Sequence, residues 1–254
     1  MRLTKMYLYK LQRSAGLWIC MLLTCMLVVM PGLIRLFFPD LFGTSGMYSA
    51  AGALLSAVTG GLPCMICAIY AAVFFHDDEK YGFIKNIFPK LPHKMELFTA
   101  RLAVSLLLLL AMYLAGFLTA LLFTALLHGT VIGEAGSIPL LLLSFLSSAA
   151  FLSLVLTLEL HTRSNVLPIV LSVISMSGMI SLMCTLLSFL LNQLLKTESV
   201  ALDQYVVSCQ LRNLSTFVMA DRPSMPVTVI LVSAVYLIIS AAWSYLLLYR
   251  RDIR

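Results

Sequence analysis

Charge is scarce in this sequence. Of 254 residues only 11% are Asp, Glu, Lys or Arg, and 61% are apolar, whereas a water-soluble domain carries about 25% charged and about 45 to 50% apolar residues. So few charges cannot cover a water-facing surface, and a soluble enzyme is excluded. Catalytic signatures are lacking as well. There is no H-E-x-x-H, no G-x-x-x-x-G-K-[ST] and no carboxylate pair inside an apolar run, so nothing supports an intramembrane protease or a self-contained ATPase. Strict alternation of apolar and polar residues is missing too: residues 106–110 are five leucines, which excludes an outer-membrane barrel. Six cysteines make no disulfide framework, since Cys20, Cys25, Cys64, Cys67 and Cys184 fall in apolar runs and Cys209 is alone in a polar connection. Cys64 and Cys67 form a C-x-x-C, but inside an apolar helix with no second pair nearby, helix packing accounts for them better than a redox or zinc site.

What the chain does have is long apolar runs. Uncharged stretches of about 20 residues are the mark of membrane-spanning helices. Six are expected, at 18–38, 48–75, 102–127, 138–158, 166–191 and 227–249, within a transmembrane domain of residues 17–254. The fold class is therefore an all-α integral membrane protein. The first run contains Pro31 and, near its end, Arg35, which can snorkel to the interface. It is too long for a cleaved signal peptide and no small-x-small site follows it. With six spans both termini share a side. Lys and Arg number 13 on that side and 4 on the other, so the positive-inside rule places both termini in the cytoplasm. The net charge of +6 is then a topology signal and gives no reason to invoke nucleic acid.

The connections carry more information. Residues 1–16 alternate Leu3, Met6, Tyr7 and Leu11 with Arg2, Lys5, Tyr9 and Arg13 at helical spacing, the pattern of a basic amphipathic interfacial helix. Residues 76–101 form the largest cytoplasmic connection, where Ile84, Ile87, Phe88 and Leu91 make an apolar stripe that Pro89 and Pro92 interrupt. That stripe has two readings: it dips into the bilayer surface, or it docks in a groove on a soluble partner. Asp77, Asp78 and Glu79 sit beside Lys80 at the mouth of a span, an ordinary solvated cluster rather than a metal site. Glu159 and Arg163 are four apart and are expected to form a surface ion pair. The outer loop 192–226 holds Val200, Val207, Leu211, Leu214 and Val218 at helical spacing, a helix that lies on or dips into the outer leaflet. Gly52, Ser56 and Gly60, and Ser177 and Ser181, repeat every four residues as close-packing faces, while Gly60, Gly61 and Pro63 mark a place where the second span can bend. Charge is absent from the span centres, so an amphipathic or lipid-like cargo suits them better than a polar solute, with Met176, Met179 and Met183 as an adaptable lining.

Taken in order, a basic entry helix, six spans, the acid-x-x-Gly-x-x-basic motif Glu79, Gly82, Lys85, then Pro92 to Lys94, Ala100 and Arg101, and a tail of Arg250, Arg251 and Asp252 resemble the membrane subunits of type-2 ATP-binding-cassette (ABC) exporters. The family usually has Lys where this chain has Arg101. The start Leu8 to Ser14, reading LYKLQRS, is similar to small permeases that protect Gram-positive bacteria from lantibiotics or bacitracin, or that export amphipathic peptides. The resemblance implies a bacterial plasma-membrane permease with no cofactor of its own. ATP and Mg would be bound by a separate ATPase subunit in two copies. Glu79, Gly82, Phe83, Ile84, Lys85, Ile87 and Phe88 would form the coupling helix seated in that ATPase, and a second permease would complete a homodimer or heterodimer. Membrane lipid and a hydrophobic or amphipathic peptide, or a lipid-like compound, would be the remaining partners. A secondary carrier or channel, and a scaffold that moves nothing, are the alternatives.

Overall fold

A computed structural model describes residues 2–37, 50–81, 94–126, 137–162, 164–195, 201–219 and 225–250. The coupling residues Gly82, Phe83, Ile84, Lys85, Ile87 and Phe88, together with Arg163, Arg251 and Asp252, lie outside them. All regular elements among the described residues are helical.

The chain opens with α1 (Arg2–Arg13), whose apolar face is turned to protein. Leu3, Tyr7 and Leu11 are buried while Lys5, Tyr9 and Gln12 remain exposed. Ser14 ends it, its hydroxyl donating to the Leu11 carbonyl at 2.8 Å. The first span follows at once as α2 (Ala15–Phe37), continuous through Pro31. It exposes Trp18, Leu22, Met26 and Met30, a four-residue repeat that suits a lipid-facing side.

The second expected span is two helices, α3 (Ala50–Thr59) and α4 (Leu62–Lys80), bent by 55°. Next comes α5 (Met95–Leu126) of 32 residues, about 48 Å at 1.5 Å per residue. Arg101, Val104, Leu108 and Met112 lie on its buried side, and Leu107, Leu114, Leu118 and Leu122 on its exposed side. The fourth span is α6 (Ser137–Thr162). Its most apolar window is 67% buried, against 22 to 33% for α2, α5 and the last helix, which makes α6 the central stave.

The fifth span is again broken, into α7 (Val166–Met176) and α8 (Met179–Leu195), bent by 61°. A short 3-10 turn (Leu202–Gln204) and α9 (Val207–Met219) follow, then α10 (Met225–Arg250). Thus among the described residues four helices are long and apolar enough to cross a membrane, and the total is six where each bent pair counts as one span.

The core gathers around α6. Small hydroxyl residues let α10 approach it closely. Ser147 pairs with Ser233, Ser240 donates to Ser153 at 2.8 Å, and Thr157 meets Ser244 at 3.0 Å, all buried. The C-x-x-C thiols serve packing: Cys64 points at the Ser148 carbonyl on α6 and Cys67 at the Ser105 carbonyl on α5.

Candidate functional site

Two places stand out from ordinary helix packing. The first is a charged cluster at the end of the bundle where α1 packs. Arg101 on α5 and Glu159 on α6 form an ion pair at 2.8 Å, with side chains 0% and 1% exposed. Charges so buried persist only when they are paired, because each one alone loses several kcal/mol of solvation. The guanidinium also lies over the Phe75 ring at 5.2 Å, and Tyr7 meets that same ring edge-on at 5.4 Å. Burial pushes the Tyr7 phenol above its ordinary pKa, against the pull of the Arg101 charge. A second ion pair links Lys10 to Asp78, with Lys10 over the Phe74 ring at 4.5 Å, and the Ser14 and Tyr70 hydroxyls meet at 2.6 Å. Through these contacts α1, α4, α5 and α6 are fastened together at one end.

Glu159 is drawn inward to Arg101, and the surface pair with Arg163 that its spacing suggests involves a residue outside the described ones. Helix α5 begins at Met95, two turns before its uncharged run, so Arg101 lies inside the bundle rather than at a loop edge. The acidic residues beside it divide in a similar way, since Asp78 is buried against Lys10 and Asp77 is exposed. Glu79 is in the last turn of α4. The two ends of the 82–93 connection, α4 and α5, both leave from this cluster.

The second place is where the two broken spans meet. Gly61 has φ +73° and Gly178 has φ +91°, a left-handed conformation that glycine adopts without the steric cost of a Cβ. Each helix restarts directly, with Met65 N–H donating to Gly61 O at 2.9 Å and Leu182 N–H to Gly178 O at 3.0 Å. The breaks touch: a Cβ on Gly61 would stand 2.7 Å from the Met176 sulfur. The three methionines are separated by this geometry. Met176 is buried in the crossing, whereas Met179 and Met183, 61% and 71% exposed, stand on the outer side of α8.

Helix α9 reaches into the same region. Leu202 N–H donates to the Ser188 hydroxyl, the Cys209 thiol meets Cys184, and the Arg212 guanidinium lies against Gly178. These three contacts step down α8 as they step along the 3-10 turn and α9, so the segment runs antiparallel to α8 and dips between the spans. Arg212 and Cys209, which the sequence places in the loop, are thereby carried to a helix break. The signal available was the apolar spacing of α9. Nothing in that spacing tells which span it packs beside.

A family model described as ABC-2 family transporter protein matches residues 4–178. The chain belongs to the ABC-2 transporter family. Neither a curated protein nor a solved structure matches it. The matched stretch runs from α1 through the ion-pair cluster to the break at Gly178, so the buried pair, the first broken span and α7 lie within it, and α8 lies beyond it. As an ABC-2 membrane domain, the chain is the permease subunit of an ABC transporter, a multi-pass membrane protein whose family works with an ABC ATPase.

Proposed function

We propose that this permease exports an amphipathic peptide, peptide antibiotic or lipid-like compound, with ATP and Mg bound by a separate ATPase in two copies and with no catalytic residue or cofactor in this chain. The termini and residues 82–93 face the cytoplasm of a bacterial cell, and a second permease completes the pathway. The observation that carries the reading is the course of α4. One end of this 19-residue helix is tied to α1 by Asp78 and sits beside the Arg101–Glu159 pair, and the other begins at the Gly61 break against Met176. It spans about 28 Å. A displacement of the 82–93 connection by an ATPase would pass along this rod to the crossing of the broken spans, and discontinuous helices are where membrane transporters commonly bind and release cargo. Changes of this kind propagate only through groups whose contacts differ between two states, and the crossing of the broken spans is where this reading puts them.

The cargo class is supported by the exposed surface of α8, where Met179, Leu182, Met183, Leu186 and Leu190 are all apolar. A polar solute would lose its hydration there without compensation, whereas an amphiphile keeps its apolar part from water at about 25 cal/mol per Å². The test is reconstitution with the co-purifying ATPase in vesicles. Membrane-active peptides or lipid-linked compounds should stimulate hydrolysis and be moved, and small polar solutes should not. Stimulation and transport confined to polar solutes, or the absence of any co-purifying ATPase, would overturn the reading.

A further inference from the structure

Two arginines among the described residues meet the apolar helices in different ways. Arg101 has a carboxylate at 2.8 Å. Among the described residues no carboxylate pairs with Arg212, which is exposed on α9 with its guanidinium against the break at Gly178. Its position is fixed by the buried residues around it on the helix, since Val207, Cys209, Leu211 and Leu214 are all at most 3% exposed. The broken span beside it is uncharged: residues 166–195 contain no Asp, Glu, Lys or Arg, and Met179 and Leu182 beside the break are exposed.

Depth can be read along the helices. Gly61, which touches Met176 two residues from Gly178, is 14 residues beyond Phe75 at the ion-pair level, about 21 Å. On α6 the distance from Glu159 to the far end at Ser137 is 22 residues, about 33 Å. The break is thus past the middle of the bundle, toward the end away from α1. An arginine at such a depth is costly without a counter-ion, and an intramembrane cation marks a ligand or ion path. It also lies beyond the residues the family model matches.

We propose that Arg212 binds the phosphate of a membrane amphiphile at the break between α7 and α8. The planar guanidinium presents paired N–H donors that fit a phosphate in two parallel hydrogen bonds, which an ammonium cannot do. The apolar α8 surface beside it receives the acyl or isoprenoid chain. This assignment rests on the export reading for its biological meaning, and its test does not depend on an ATPase.

The full-length chain in mild detergent is titrated with dioleoylphosphatidate, with dioleoylglycerol, which has the same chains and no phosphate, and with inorganic phosphate. Binding is read by native mass spectrometry. Dioleoylphosphatidate should bind at least tenfold more tightly than dioleoylglycerol, and inorganic phosphate should not compete at millimolar concentration. Arg212→Gln should erase the tenfold preference and Arg212→Lys should retain part of it. Met179→Glu, which places a competing carboxylate beside the break without touching the arginine, should erase it as well and decides the matter if Arg212→Gln does not fold. Equal binding of the two lipids to the native chain, an undiminished preference in Arg212→Gln or Met179→Glu, or displacement by inorganic phosphate would overturn the proposal. A preference that depends on Arg212, found together with no lipid stimulation of the reconstituted ATPase, would support the site while counting against export.

Discussion

Replacing Glu159 by Gln keeps the shape of the side chain and removes its charge, leaving the Arg101 guanidinium 0% exposed and without its carboxylate at 2.8 Å. Breaking a buried pair from one side costs about 3 to 5 kcal/mol. The Phe75 ring at 5.2 Å remains and offsets part of this, since a desolvated cation over an aromatic face is worth about 2 kcal/mol. The expected loss is therefore at the lower end, about 3 kcal/mol. In a chain of this size each kcal/mol moves the thermal midpoint by about 2 to 4 °C, so the midpoint should fall by about 6 to 12 °C. Trp243 on α10 stands 6.3 Å from the His161 ring, two residues from Glu159, and its fluorescence reports on this end of the bundle. Arg101→Met should cost a similar amount. The double variant should cost less than the sum of the two single losses by about 2 kcal/mol or more, because neither charge is then stranded. A midpoint within 2 °C of the native chain for Glu159→Gln, on the scale where exposed pairs fall, or strictly additive losses, would refute the account of this pair as mutually dependent.

Gly61→Ala must hold a Cβ at φ +73° and 2.7 Å from the Met176 sulfur. The backbone alone costs about 1 to 2 kcal/mol, so a clear drop in thermal midpoint is expected, and an unchanged one would show that the break is not held in this form. Tyr7→Ala removes a buried ring from against Phe75 and should cost about 3 kcal/mol, with faster tryptic cleavage at Lys5 and Lys10. Lys10→Gln, at a half-exposed position, should cost less than about 1 kcal/mol, and equal protease sensitivity in the two variants would contradict that ranking. Single cysteines introduced at Asn86 and Asp203 test topology: an impermeant reagent on intact cells should label 203 and spare 86, and the reverse pattern would invert the molecule. Ile87→Asp should separate the ATPase or uncouple its hydrolysis from transport, because a charge in an apolar contact costs several kcal/mol if it stays buried. Normal assembly and transport would exclude docking by that stripe.

The number and order of the spans were legible because hydropathy acts locally, residue by residue. The break in the second span was foreseen at Gly60 and Gly61 because two glycines and Pro63 stand together, but Gly178 stands alone between Ser177 and Met179 and gives no such warning. Arg101 and Glu159 escaped for another reason. Both border an uncharged run, and hydropathy assigns a bordering charge to the loop, whereas the helix begins or ends beyond it and the pairing partner is 58 residues away. The same limit hid the side of the molecule to which α9 turns. Its apolar spacing allows a helix that lies on the outer leaflet or dips into it, and the contacts of Leu202, Cys209 and Arg212 with α8 show it beside that helix.

The hydroxyl contacts between α6 and α10 join residues 86 or 87 apart in the chain. While the protein is being made, α6 must therefore enter the bilayer before its mate exists, with Ser147, Ser153 and Thr157 held provisionally by their own helix, as Ser153 and Thr157 still are through the carbonyls of Ala150 and Ser153. The central stave can close only when the last helix arrives. Biogenesis is then a two-step process: independent insertion of the helices, followed by lateral capture of α10. A chain stopped before Met225 would leave a polar stripe on its most central helix, a mark by which membrane quality control can tell an unfinished permease from a finished one.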